Sequence, residues 1–206
     1  MIDYQHQCYL FTEAKKRNKS ILDDPFVDKV RDMFDRSPLD ILANLKVKEV
    51  MDHPSADKIF DVTQSTPLHH LAVAKVKEIL KHPAVGVVGD INGWTPLHWL
   101  ARFGVKEVLI HDLVDKVFTE DGDTPLHFLA NGRVKEVLFH HSVDSIKNDC
   151  NQTPLHILAR EKLLTMADLK LKYSWLEINS GQKVNNVKFI NEIINAPNSV
   201  KFFLSF

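Results

Sequence analysis

The stretch Trp94-Thr95-Pro96-Leu97-His98 decides the fold, because its last four residues recur. TPLH stands at 66–69, 95–98, 124–127 and 153–156, and a relaxed copy, SPLD, stands at 37–40. The starts at 37, 66, 95, 124 and 153 are separated by 29 residues each time, without slippage. A fixed period of this size marks a stack of supersecondary units, in which each unit buries its apolar face against its neighbours.

The local chemistry reads as a helix start. Thr, or Ser37, is the expected N-cap, Pro the first helical residue and Leu the first buried one. A first helix of about eight residues is expected, then a break that Gly104 or Gly132 can relax. A second helix is written VKEV or VKEI, at 47–50, 76–79, 105–108 and 134–137. Val105, Val108 and Leu109 follow the i, i+3, i+4 spacing of one buried stripe, with Lys and Glu facing solvent. His53, His82, His111 and His140 then recur where a cation or donor suits exposed helical carbonyls. An extended link leads to the next Thr, with turn signals Asn92-Gly93 and Asp121-Gly122 at its tip.

The phase carries upstream. Leu10 and Ala14 fall on the recurring Leu and Ala slots, so residues 1–36 read as a degenerate, polar N-terminal capping repeat. Repeats fill 37–172, the last beginning at Thr153 with Leu163-Leu164-Thr165-Met166 in place of VKEV. Residues 173–206 do not repeat. They suggest a helix over 184–195 and an apolar end over 200–206, and read either as a C-terminal cap or as a docking segment.

TPLH opening a helix, a small residue after it, a second helix and a Gly-tipped hairpin resemble the ankyrin repeat over about residues 8–172. The resemblance implies an all-α helix–loop–helix solenoid that binds a protein partner through hairpin tips and the first-helix face. The sequence departs from that family twice. Its period is shorter than the family's 33 residues by about one helical turn, so short outer helices ending at the recurring His are expected. Leu71, Leu100, Leu129 and Leu158 also stand where the family places a small residue, and are expected to fill space beside the shortened helix.

Composition narrows the function. The net charge of −1 gives no electrostatic case for nucleic acid or anionic membrane. Cys8 and Cys150 lie at opposite ends of the array, which suits free thiols in a reducing compartment. With no signal-peptide layout and no membrane-length apolar run, a cytoplasmic, monomeric protein is expected. The TPLH histidines are expected to hold neighbouring loops by hydrogen bonds through their ring nitrogens. The pairs His69-His70 and His140-His141 are expected to point to different helix faces, so no metal site is expected. No catalytic constellation and no cofactor motif stand out.

Fixed slots build the scaffold, which leaves variable slots for partners. The slot before each Thr reads Arg36, Ser65, Trp94, Asp123 and Gln152, and Trp94 is a candidate anchor. The slots after the helix Ala include Arg102 and Phe103, and an acidic tip follows with Glu120, Asp121 and Asp123. These six residues are the candidate partner-binding patch. Against this, Trp94 and Phe103 could cover a neighbouring loop, and the acids could be ordinary solvated turn residues. A non-enzymatic protein-binding scaffold is the leading expectation. The alternatives are an effector or viral accessory protein tethering a host target, and an enzyme or toxin with a site in 173–206.

Overall fold

The computed structural model describes residues 2–172, so the expected helix and apolar end of the C-terminal segment lie outside the described residues. Among the described residues every regular element is helical. Helix α1 spans Tyr4–Lys15, followed by α2 (Pro38–Asn44), α3 (Pro67–Val73), α4 (Pro96–Arg102), α5 (Pro125–Asn131), α6 (Pro154–Arg160) and α7 (Met166–Lys172). Each of α1 to α5 is followed by a short 3-10 turn, at Lys19–Asp23, Lys48–Asp52, Lys77–Lys81, Lys106–Ile110 and Lys135–Phe139. Consecutive helices from α1 to α6 pack side by side, so the chain is an all-α solenoid with a period of 29 residues.

Helices of seven residues are too short to hold in water alone. Two devices hold them here. One is burial: Leu97, Leu100 and Ala101 in α4 are fully buried, and their equivalents at Leu68, Leu71 and Ala72, and at Leu126, Leu129 and Ala130, are too. The other is a cap at each end.

At the C-terminal end the chain closes a Schellman motif in every unit. In α4, the N–H of Gly104 donates to Ala101 O at 2.9 Å and the N–H of Val105 to Leu100 O at 3.1 Å. The same pair of bonds recurs at Lys46 and Val47, Lys75 and Val76, Arg133 and Val134, and Lys162 and Leu163. This motif sets an apolar residue after the turn against one in the last helical turn, here Val105 with Leu100. It accounts for the Leu that stands in place of a small residue: Leu100 is fully buried and shares a core cluster with Val105. The left-handed residue of the motif is Arg17, Lys46, Lys75, Gly104, Arg133 and Lys162 in turn, with φ between 57° and 72°. Gly132 is not that residue; it has φ −72° and caps α5, while Arg133 takes the positive φ.

The expected second helix is a single 3-10 turn instead. Val47, Val76, Val105 and Val134 stand outside it as extended N-cap residues. The four residues missing from the repeat leave room for one turn, and bonds such as Val108 N–H to Val105 O at 3.2 Å close it with i to i+3 geometry. It ends at the recurring His, as expected. That His acts as an acceptor. Its Nδ1 takes the N–H two residues on, from Ser55 at 3.1 Å, Ala84 at 3.1 Å, Leu113 at 3.2 Å and Ser142 at 3.2 Å. Burial pushes the His53 and His140 pKa down, which keeps the acceptor lone pair free of a proton.

The ends of the array differ from the middle. Helix α1 begins ahead of the repeat register, at Tyr4, capped by Asp3, whose Oδ1 accepts the His6 N–H at 2.7 Å. At the other end Thr165 opens an α-helix, not a 3-10 turn, because it meets Asp168 as a capping box: both Thr165 N–H and Oγ–H donate to Asp168 Oδ2. Lys135 pairs with the same carboxylate at 2.8 Å, and Leu164 and Leu169 are fully buried, which fixes α7 on the preceding unit.

Candidate functional site

The TPLH histidine does two jobs at once. In α4, His98 Nδ1 accepts the Thr95 backbone N–H at 3.1 Å and the Thr95 hydroxyl at 2.9 Å. Two incoming donors leave Nδ1 without a hydrogen, so the ring proton sits on Nε2 and is donated to Asp123 O, in the next unit, at 3.2 Å. His69 reaches Trp94 O at 2.9 Å and His127 reaches Gln152 O at 3.0 Å in the same way. Burial pushes the pKa of His69 and of His98 down to about 4, so both rings are neutral at physiological pH. The Thr cap therefore works mostly through this reversed arm. The hydroxyl-to-helix arm is long, at 3.4 Å from His156 N–H to Thr153 Oγ.

Asp40, in the relaxed copy, has only half of this function. Its Oδ2 takes the Ser37 N–H at 2.7 Å and the Ser37 hydroxyl at 2.8 Å, but its buried Oδ1 has no hydrogen-bond partner. Burial pushes this carboxyl's pKa up. His70 Nε2 lies 3.7 Å from Asp40 Oδ1 but instead bonds Asp61 Oδ2 at 3.1 Å.

The tips are built by a second recurring device that the sequence reading did not single out. Five residues before each Thr or Ser37 stands Asp32, Asp61, Asp90, Thr119 or Asn148. Its side-chain oxygen gathers the N–H groups of the turn: Asp90 Oδ1 accepts from Asn92 at 2.9 Å and from Trp94 at 3.0 Å. Its backbone closes the turn, with Asp90 N–H to Trp94 O at 2.9 Å and Gly93 N–H to Asp90 O at 2.8 Å. The residue at the bend takes a left-handed φ each time, as Asp35, Gln64, Gly93, Gly122 and Asn151. Its signal was a polar acceptor at constant register, concealed by its change from Asp to Thr to Asn.

These elements place the six candidate residues as follows. Trp94 is half-buried, with its ring 4.8 Å from Trp99 and 4.4 Å from Phe128. Phe103 caps the far end of α4, stacks on Trp99 at 6.1 Å and lies under Lys75 Nζ at 5.5 Å. Trp99 thus joins the two into one aromatic cluster, and its Nε1–H is fixed by Asp90 Oδ2 at 2.9 Å. Trp99 and Phe128 were missed, although the slot after TPLH changes from Ile41 and His70 to Trp99 and Phe128, a variation that could have marked them. Arg102 is exposed beside Phe103. Glu120 and Asp121 are exposed at the neighbouring tip, where the Glu120 N–H approaches Asn92 O at 3.5 Å. Asp123 is committed to the scaffold: its carboxylate accepts Asn148 Nδ2–H at 2.7 Å and its carbonyl takes the His98 proton.

One expectation about the histidines is corrected. His69 and His70 do diverge, one to the next unit and one to Asp61, but His140 and His141 lie together, ring centroids 4.4 Å apart. His140 ends a 3-10 turn in extended backbone and His141 begins the next turn, so helical divergence does not apply. His141 Nε2 stands 3.2 Å from Asp115 Oδ2, and these three residues are the one His and carboxylate group among the described residues with metal-ligand proximity. His140 Nδ1 already holds the Ser142 N–H, and the Ser142 hydroxyl already donates to Asp115 Oδ2, bonds that belong to the repeat scaffold. Cys8 and Cys150 are both free and exposed. No described helix is long and apolar enough to cross a membrane. Searches against protein-family models and against curated proteins return no match to this sequence.

Proposed function

We propose that this chain is a non-enzymatic protein-binding scaffold built of shortened ankyrin-type repeats, which holds a protein partner on its tips and first-helix face. The observation that carries the reading is a division of labour between slots. Residues that recur at the period are buried or bonded within and between units, as Thr95, Leu97, His98, Leu100 and Ala101 are. Among the residues that vary at the period, Arg102, Phe103, Glu120 and Asp121 stand exposed on the tips and at the end of the first helix, while Trp94, Trp99 and Phe128 pack together. A solenoid of this kind offers an elongated surface on a rigid frame. The order of capped helix, Schellman turn, short outer turn and bonded tip supports the ankyrin reading, and the reduction of the outer helix to one 3-10 turn is consistent with the shorter period. Two free thiols suit a reducing compartment such as the cytoplasm.

Retention of proteins from native cell lysate tests the reading, with the wild-type chain compared against Arg102→Glu, Asp121→Lys. A protein held by the wild type and lost from the variant, at unchanged melting temperature, supports it. Equal retention by both, or no specifically held protein, overturns it. Trp94 is left out because it packs on Trp99 and Phe128, so removing it would lower stability as well.

A further inference from the structure

The position four residues before each repeat start lies in the tip of each unit. Read along the array it is Met33, Val62, Ile91, Glu120 and Asp149. Met33, Val62 and Ile91 are large apolar residues with 87%, 59% and 54% of their surface exposed, although each unit has a buried core to take such side chains. Glu120 and Asp149 are exposed as well, and Asp121 beside Glu120 adds a third exposed carboxylate. None of the three forms an ion pair with a described residue.

Backbone bonds tie these tips into one edge. The N–H of Val62 donates to Phe34 O at 3.2 Å, that of Ile91 to Thr63 O at 3.0 Å, and that of Asp149 to Asp121 O at 3.0 Å. The side chains are therefore held in a fixed row, apolar over the first three tips and anionic over the last two. Neighbouring helices in such a stack lie about 8–10 Å apart. A polyproline-type extended chain advances about 9 Å in one three-residue turn and returns a side chain to the same face at each turn.

We infer that this edge binds an extended segment of a partner protein, with apolar side chains at every third residue over one half and Lys or Arg at every third residue over the other. Charge complementarity selects the occupant. A purely apolar segment leaves the acidic tips unmatched, and a purely basic one leaves Met33, Val62 and Ile91 in water. The inference rests on the scaffold reading above and adds the chemistry of the partner to it.

Selection from a displayed random-peptide library, with the full chain as bait, tests it. Three baits are compared: wild type, Val62→Ser with Ile91→Ser, and Glu120→Lys with Asp121→Lys and Asp149→Lys. The wild type is expected to enrich peptides with an apolar half and a basic half. These should bind the apolar-depleted bait at least tenfold more weakly and weaken further with added salt on the wild type. The charge-reversed bait should instead enrich peptides with an apolar half and an acidic half, a gain that a misfolded protein cannot produce. Peptides that lack basic residues, or that bind the charge-reversed bait as well as the wild type, overturn the inference and leave the scaffold reading standing. No enrichment by any folded bait overturns both.

Discussion

Acidification should unfold this protein through His69 and His98, before the carboxylates held low titrate. His69 and His98 are held neutral by burial, with pKa values pushed down to about 4. In the unfolded chain each titrates near 6.5. Between those values the unfolded state binds protons that the folded state excludes, so stability rises with pH and is lost as pH falls from about 6.5 towards about 4. At about 1.4 kcal/mol for each pKa unit, the loss approaches about 3 kcal/mol for each ring as an upper bound. Two rings together then remove about 6 kcal/mol, comparable with the whole stability of many domains. His127, also pushed down by burial, acts in the same direction. Asp40, whose carboxyl is pushed up by burial, opposes them, because acid relieves it. Carboxylates held low, such as Asp61 and Asp115, lose their contribution only below about pH 4 and so fall outside this window. Urea unfolding at pH 7.5, 6, 5 and 4.5 reads the effect, expected as a slope of about 2–3 kcal/mol per pH unit near pH 5. His98→Gln, which cannot titrate, should lower the overall stability and reduce that slope by about one proton. A stability that is flat between pH 7.5 and pH 5, or a slope unchanged in His98→Gln, would refute the reasoning.

Three further substitutions test the caps. At the left-handed slot, Gly104→Ala should destabilise by about 1–2 kcal/mol, whereas Lys75→Gly should be neutral or stabilise by up to about 1 kcal/mol; chemical denaturation of both reads the sign, and the same sign for both would contradict the shared positive φ. Asp40→His should stabilise by about 1 kcal/mol at pH 7.5, because it removes the unpartnered Oδ1 and gives the first TPLH-like cap a ring nitrogen to reach the next unit; a lower melting temperature would count against the reach of the ring.

The period was legible because side-chain chemistry repeats where the backbone repeats. Thr and Pro at the helix start, Leu and Ala in the core and the bridging His all report on single, local demands. What escaped the sequence depends on backbone geometry that several residues satisfy equally. The left-handed slot is held by Lys or Arg in five units and by glycine in one, so glycine alone pointed to Gly132, where the φ is negative. The 3-10 turn shares the Val47 and Val50 spacing with an α-helix, and four residues are too few to separate periods of 3.0 and 3.6. The tip acceptor changes chemical type at Thr119 and Asn148 while its role is constant. In the candidate patch, exposed Arg102, Glu120 and Asp121 follow from irregularity at a variable slot. The anchoring of Trp94 by Trp99 and Phe128 crosses between units, so the change of residue in the slot after TPLH marks the two aromatics without showing what they touch.

The stack itself is tested most directly by distances between spin labels at the same slot of different units. With Cys8 and Cys150 replaced by Ser, cysteines at Met33 and Ile91, at Met33 and Glu120, and at Met33 and Asp149 place label pairs two, three and four units apart on exposed tips. At about 8–10 Å for each unit, pulsed dipolar spectroscopy should give separations that climb steadily, near 16–20, 24–30 and 32–40 Å. A separation from Met33 to Asp149 no longer than that from Met33 to Ile91 would mean that the units fold around a common centre, and the solenoid would be wrong.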